Sequence, residues 1–247
     1  HILCEKSVST SHKSTKKILD VCKKNEIRVL EGFTFRFHPQ HQKICSLLQQ
    51  KILGEIFSLS IKYGFVRKFS KNDFRFKNEL GGGVLNDLGC YIISASKMIF
   101  DKNPVKIQCN LLTNSKHKID TKGSILIEYE KNKMTQGFFG YENYFQSNYE
   151  LWGEKGIISA DWAFNIKKNI SAKIRVQKQN KTKQFQLKPT NQFKLMIDSF
   201  SKELRYPGCS NINFEEEIFN QSMMMECARL SNKKHKPIYV EDISSKK

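Results

Sequence analysis

The chain reads as an α+β protein: a large, mostly antiparallel open sheet with helices on one face, preceded by a short α/β unit. Three observations predict this. Residues 1–37 run strand, helix, strand, the rhythm of a parallel α/β sheet. Between Ile56 and Val176 a succession of alternating segments is joined by short turns, which forces neighbouring strands to pair antiparallel. Two helical segments with apolar stripes then close the chain.

His1 to Cys4 reads as the end of a buried strand. Ser11 to Lys24 follows as an amphipathic helix with Thr15, Ile18, Leu19 and Cys22 at helical spacing. Ile27 to Phe37 returns to β character, rich in Val, Leu, Phe and Thr. Pro39 marks a boundary that divides the chain into residues 1–37 and 38–247, and Gln40 to Gln50 makes a short helix ended by Gly54. Ile56 to Val66 alternates, with Ile61, Tyr63 and Phe65 on one side. Arg67 to Leu80 is a charged, aromatic loop long enough to cover a site.

After three glycines, Val84, Leu88, Tyr91, Ile92, Ala95 and Ile99 trace a helical stripe. Strands follow around Val105–Leu111, Ile125–Tyr129, Met134–Tyr141, Tyr144–Trp152, Gly156–Ala160 and Ile170–Val176. Thr190 can cap a helix with the stripe Phe193, Met196, Ile197, Phe200 and Leu204. Asn213, with Glu216 three residues on, starts another over Phe214–Leu230. Met223, Met224 and Met225 lie inside it as adaptable core filling.

Composition bounds the function. With 247 residues, 39% of them hydrophobic, the chain can bury a large core. It has no run of 18 apolar residues and no signal-peptide pattern, so the expectation is a cytoplasmic protein without a membrane partner. Seven cysteines, an odd number with no C-x-x-C pair, fit reduced thiols rather than a disulfide framework. His38 and His41 have a ligand-like spacing but no accompanying pair, so no metal site is expected. The formal charge of +18 is spread along nearly every segment without a nucleic-acid-binding signature. We therefore expect a solvated basic surface and no nucleic-acid partner, with a positive field that attracts an anionic substrate.

The chemistry-bearing segment is Gly81-Gly82-Gly83-Val84-Leu85-Asn86-Asp87-Leu88-Gly89-Cys90-Tyr91. Asp87 and Tyr91, four apart on a helix, share a face about 6 Å apart in rise, and the glycines let the backbone approach a ligand closely. A phenol is a poor acid–base group unless a nearby cation shifts it, and Lys6 can supply one. Each residue alone has a plain alternative: a core tyrosine, a helix cap, a solvated lysine. The combination points to a proton-handling site.

The sequence resembles the Gfo/Idh/MocA oxidoreductases. The matching elements are His1-Ile2-Leu3-Cys4-Glu5-Lys6, Glu31-Gly32-Phe33-Thr34-Phe35-Arg36-Phe37-His38-Pro39, Gly54-Glu55-Ile56, the Gly81–Tyr91 segment and Glu150-Leu151-Trp152-Gly153-Glu154-Lys155-Gly156, in the family's order. The resemblance implies an enzyme that transfers hydride between NAD or NADP and a sugar, a nucleotide sugar or a related cyclic alcohol or ketone. Lys6 would then hydrogen-bond the reacting oxygen, Glu5 and Lys6 would adjoin the nicotinamide, and Asp87 would orient the lysine or substrate. Tyr91 would give the proton, and Arg75 and Asn86 would join Asp87 and Tyr91 in contacting substrate. The exposed sheet face would form a homo-oligomer interface. Dihydrodiol-dehydrogenase-like members and nucleotide-sugar 3-ketoreductases are the nearest in motif.

Two departures stand out. Ser7 replaces the motif's proline, which leaves open whether the Lys6–Ser7 bond is cis or trans. No G-x-G-x-x-G follows an early strand, so the resemblance implies that residues 1–37 are the end of a Rossmann domain and that the chain is the C-terminal portion of a larger enzyme, inactive alone. The alternative is a non-catalytic binding or assembly module derived from that enzyme.

Overall fold

The structure, a computed structural model, describes residues 1–115 and 117–244. Strand β1 (Ile2–Cys4) pairs in parallel with β2 (Val29–Glu31), and helix α1 (His12–Lys24) makes the crossover between them. The Ser11 hydroxyl accepts the Ser14 N–H and so satisfies an otherwise orphaned donor at the start of α1. Ile2 and Leu3 are each 43% exposed, against the expectation of a buried strand, because β1 has one strand neighbour among the described residues.

The expected strand over Ile27–Phe37 is only three residues long. After Glu31 the chain turns through a 3₁₀ segment, Thr34–Phe37. Phe33, Phe35 and Phe37 are buried there, so the aromatic run reports burial rather than strand geometry. Helix α2 (Pro39–Gln49) follows, with proline in its first turn and His38 Nδ1 accepting the Gln40 N–H.

The main sheet has nine strands. β3 (Ile56–Gly64), β4 (Lys106–Asn114), β5 (Ile119–Tyr129), β6 (Lys133–Gly140), β7 (Gln146–Gly153), β8 (Gly156–Asp161), β9 (Lys173–Lys178), β10 (Lys181–Gln186) and β11 (Ile238–Tyr239) are arranged β10–β9–β8–β7–β3–β6–β5–β4–β11. Every neighbouring pair is antiparallel except β3 and β6, because β3 arrives from the N-terminal unit and inserts between two later strands. The edge strands β10 and β11 were not legible in the sequence. β10 is largely exposed and lysine-rich, and β11 is two residues long.

One face of the sheet carries the core. Leu59, Ile61, Ile92, Ile93, Ile127, Leu151 and Met224 are at most 1% exposed and join β3, β5 and β7 to α3 (Cys90–Phe100) and α5 (Phe214–Lys234). Asn213 caps α5 through the Glu216 N–H, and all three methionines of its centre are buried. Helix α4 (Gln192–Arg205) is capped by Asn191, which accepts the Phe193 and Lys194 N–H groups, rather than by Thr190, whose hydroxyl donates to the Lys188 carbonyl. Met196 and Phe200 pack with Leu30, Phe37 and Phe214, but Phe193 and Ile197 face outward. A short helix, α6 (Glu241–Ser244), ends the described chain. Among the described residues no helix is long and apolar enough to cross a membrane, and no cluster of three or more His, Cys, Asp or Glu side chains could hold a metal.

The two histidines are structural. His41 is fully buried, its Nε2–H donating to the Ala163 carbonyl at 2.8 Å and its Nδ1 accepting from the Tyr149 hydroxyl at 3.0 Å. Burial lowers His38 to about 4 and His41 to about 3. Both lie below the unfolded value near 6.5, so the neutral rings contribute stability that is complete above pH 6.5 and is lost as pH falls from there toward the folded values. In urea titrations His41→Asn should flatten the decline below pH 6.5 by about 1.4 kcal/mol per pH unit. Parallel curves for variant and wild type would contradict this.

Candidate active site

Lys6 and Asp87 meet across 81 positions of sequence. Lys6 Nζ donates to Asp87 Oδ1 at 2.8 Å and to the Asp87 main-chain oxygen at 2.6 Å, with the two side chains 12% and 11% exposed. The Lys6–Ser7 peptide is cis. An ammonium has three donors, so one N–H of Lys6 remains for a third partner. The same ammonium stands 5.2 Å from the centroid of the Tyr91 ring. The sequence-predicted trio is thus brought together.

Asp87 lies on a widened, π-helical turn, Leu85–Gly89, that runs into α3; the sequence stripe predicted a regular α-helix. The turn begins where Leu85 N–H donates to the half-buried Asp120 carboxylate of β5. The glycines serve the backbone as well as the adjoining cleft, whose wall includes all three. A Cβ on Gly82 would stand 2.6–2.8 Å from the carbonyls of Phe74, Arg75 and Lys77, and Gly83 (φ +108°) fits against Asp120. This close seating pins the Arg67–Leu80 loop to the start of the motif.

The loop returns a cation to the same carboxylate. Arg75 Nε lies 3.2 Å from Asp87 Oδ2, and Asp73 bridges Arg75 (3.2 Å) to Arg67 (3.0 Å). Tyr141 donates to Asp87 Oδ2 at 3.2 Å from the end of β6. No local pattern marks Tyr141 as a site residue, because a buried aromatic after a strand reads as core. Asn86 is held at both ends: its amide donates to the Gly81 carbonyl and its oxygen accepts from Arg229 of α5, each at 2.9 Å. Glu31, on β2, accepts the Val8 N–H at 2.9 Å and so anchors the segment just after Lys6.

The electrostatics keep both members of the central pair charged. Burial opposes the Lys6 ammonium, but Cys90 and Asp87 outweigh it and hold the lysine above its usual value. The Cys90 thiol is itself pushed up to about 12 by burial, so at neutral pH the carboxylate carries the effect. Burial likewise opposes the Asp87 carboxylate, and Lys6 with Arg75 and Arg67 overcomes it and holds Asp87 below its usual value. The Tyr91 phenol is raised, chiefly by burial, and stays protonated at neutral pH.

A cleft of about 370 Å³ opens beside this cluster, with Glu5, Lys6, Ser7, Arg75, Asn86 and Asp87 on its wall. Tyr91 does not line it. Its ring is enclosed by Phe33, Phe35, Tyr63 and Phe164. Ser7 Oγ is buried without a hydrogen-bond partner among the described residues, so this residue of the cleft wall carries an unmet polar group.

Residues 41–159 match the GFO/IDH/MocA C-terminal domain. That segment of the chain belongs to the family. Over 210 residues the chain is 27% identical to the dTDP-3,4-didehydro-2,6-dideoxy-alpha-D-glucose 3-reductase of Saccharopolyspora spinosa, covering 83% of this chain and 61% of that protein. The chain therefore spans about three-fifths of that relative's length. The fold matches KijD10, a 3-ketoreductase from Actinomadura kijaniata in complex with NADP and TDP-benzene, with TM-score 0.87 and 23% identity over 94% of this chain and 70% of that one. It also matches the aldose-aldose oxidoreductase of Caulobacter crescentus complexed with glycerol, with TM-score 0.88 and 19% identity over 97% of this chain and 72% of that one. At these identities the structural likeness speaks for the fold.

Removing the Asp87 charge strands the Lys6 ammonium in a partly buried position. Asp87→Asn should cost about 3 kcal/mol of stability, against about 1 kcal/mol for Tyr141→Phe, which removes one hydroxyl donor shared between Asp87 and the Gly83 carbonyl. Urea denaturation of the two variants checks this, and equal losses would contradict it.

Proposed function

We propose that this chain is the substrate-facing part of an NAD(P)-dependent oxidoreductase that interconverts a ketone and an alcohol on a sugar, most suitably a nucleotide sugar. One observation carries the reading: the Lys6 ammonium, fixed by two bonds to Asp87, has a third N–H beside an open cleft. In this proposal residues 1–37 are the end of a Rossmann domain, residues 38–247 are the substrate-binding and oligomerisation domain, and the pyrophosphate-binding turn lies outside these 247 residues. The family membership of residues 41–159 and the reductase relatives support the assignment.

The residues present fit the reactive end of a nicotinamide cofactor: Glu5, Lys6 and the unpartnered Ser7 hydroxyl form one wall of the cleft. Bound there, the cofactor would supply or accept the hydride. Lys6 would donate to the carbonyl oxygen and stabilise negative charge developing on it, an electrostatic role that suits a lysine held charged. Asp87, kept ionised by Lys6, Arg75 and Arg67, would orient the lysine rather than exchange protons. Tyr91, whose ring centroid stands 5.2 Å from the lysine ammonium, would give its proton to the substrate oxygen. Arg75 and Asn86 would meet substrate hydroxyls or phosphate, and the net charge of +18 would draw an anionic substrate in.

In the full-length protein, Lys6→Ala and Tyr91→Phe should each lower turnover in ketone reduction by about a hundredfold. Unchanged rates for both would remove the mechanism. A non-catalytic binding module would instead bind the nucleotide sugar in calorimetry with no turnover under any cofactor.

The open sheet face supports self-association. Phe57, Phe138 and Trp152 are 45%, 49% and 57% exposed on it, and the Phe57 and Trp152 rings meet at 5.8 Å. We propose a homo-oligomer through this face. Light scattering should report a multimer that Trp152→Glu dissociates, and a wild-type monomer at micromolar concentration would contradict it.

A further inference from the structure

A second polar group, Asn165, reaches the phenol that packs against Tyr91. The Asp161–Ile166 connection after β8 is held by buried bonds: Ala163 N–H donates to the Ser147 carbonyl at 2.7 Å, Phe164 N–H donates to Ser147 Oγ at 3.0 Å, and the Ala163 carbonyl accepts from His41. Trp162 and Asn165 bracket it in left-handed conformations, φ +53° and +50°. Asparagine tolerates that region better than most residues. The result is a rigid presentation of the Asn165 side chain, whose Nδ2 donates to the Tyr63 hydroxyl at 2.8 Å.

Tyr63, on β3, meets the Tyr91 ring edge-on at a centroid distance of 5.2 Å, and Phe164 packs against both rings at 4.8 and 5.5 Å. The phenols are 3% and 5% exposed, while Asn165 is exposed, so the amide closes the outer end of a two-phenol pocket. Around Tyr91 stand Lys6 and Glu5 from the loop after β1, Asp87 and Cys90 from its own helix and turn, Tyr63 from β3, and Asn165 from the connection after β8. Burial and then Cys90 raise the Tyr91 phenol, Asp87 and Glu5 add to this, and the Asn165 amide acts the other way.

We infer that Asn165 is a positioning residue for Tyr91, its amide N–H groups shared between the Tyr63 and Tyr91 oxygens so that the phenolate formed when Tyr91 gives up its proton is stabilised. The inference rests on the role proposed above for Tyr91. In the reducing direction the Tyr91 O–H bond breaks and an O–H bond forms on the substrate oxygen, while the carbonyl carbon gains the hydride of a reduced nicotinamide. The phenolate electron pair then faces the amide until a proton from solvent restores the phenol. An amide has two N–H donors, so Asn165 can serve both phenols.

The test reads the ionisation of position 91 directly. A difluorotyrosine in place of Tyr91 in this chain brings the titration to a pH at which the protein stays folded, and fluorine NMR follows it. Asn165→Gly, which keeps the left-handed backbone, and Asn165→Asp, which keeps the shape but places a carboxylate there, should both raise the ionisation midpoint, the former by about one pH unit and the latter by more. Tyr63→Phe should move it by less. A merely structural role for Asn165 would leave the midpoint where it is, and unmoved midpoints in both Asn165 variants would overturn the inference. Failure of the wider reading is distinct from this: Tyr91→Phe would leave ketone reduction by the full-length protein unchanged whatever the titration shows.

Discussion

The site depends on one ion pair that the chain closes between its sixth and eighty-seventh residues. Lys6 sits on the loop after β1 and Asp87 on the widened turn before α3, so neither element alone makes a site. Each member opposes its own burial, and each is kept charged by the other. That mutual dependence accounts for the surrounding arrangement. Glu31 anchors the backbone after Lys6, and Tyr141 and Arg75 take the second carboxylate oxygen. The carboxylate is fully engaged while the ammonium keeps one free donor.

The sheet supplies the rigidity this requires. β3 lies at its centre, bonded in parallel to β6 and antiparallel to β7, and both Tyr63 and the approach to Arg67 extend from its end. Tyr141 leaves the neighbouring β6, and Asp120 opens β5. Three adjacent central strands thus present one end to the Gly81–Tyr91 segment, and α5 reaches it from the helical layer through Arg229 and Asn86. A binding or catalytic group placed on strand ends is held more closely than one on a free loop.

Much of this was legible in the sequence where periodicity is long and unambiguous. The strands from Lys106 to Lys178 and the α3 stripe were visible because burial alternates or repeats along them. Helical spacing put Asp87 beside Tyr91, the phenol's need for a cation suggested Lys6, and the motif resemblance gave each of the three a role. What escaped had physical reasons. Phe33, Phe35 and Phe37 look like a strand because a buried 3₁₀ turn needs the same aromatic side chains. The π-helical turn is invisible because its hydrophobic positions still fall on one face. Gly81, Gly82 and Gly83 do line the cleft, but Gly82 and Gly83 also make room for the Phe74–Lys77 backbone and Asp120, which no local pattern marks. Tyr141 and Asn165 act through contacts distant in sequence, with no local pattern to mark them.

The central claim is that Lys6 is held charged by Asp87. The most direct measurement is an NMR titration of the side-chain nitrogens in a chain labelled with nitrogen-15 lysine, with Lys6 assigned by loss of its signal in Lys6→Arg. Lys6 should ionise above the surface lysines, and Asp87→Asn should bring it down to or below them. A Lys6 that titrates with the surface lysines, and does not respond to loss of the carboxylate, would contradict the claim.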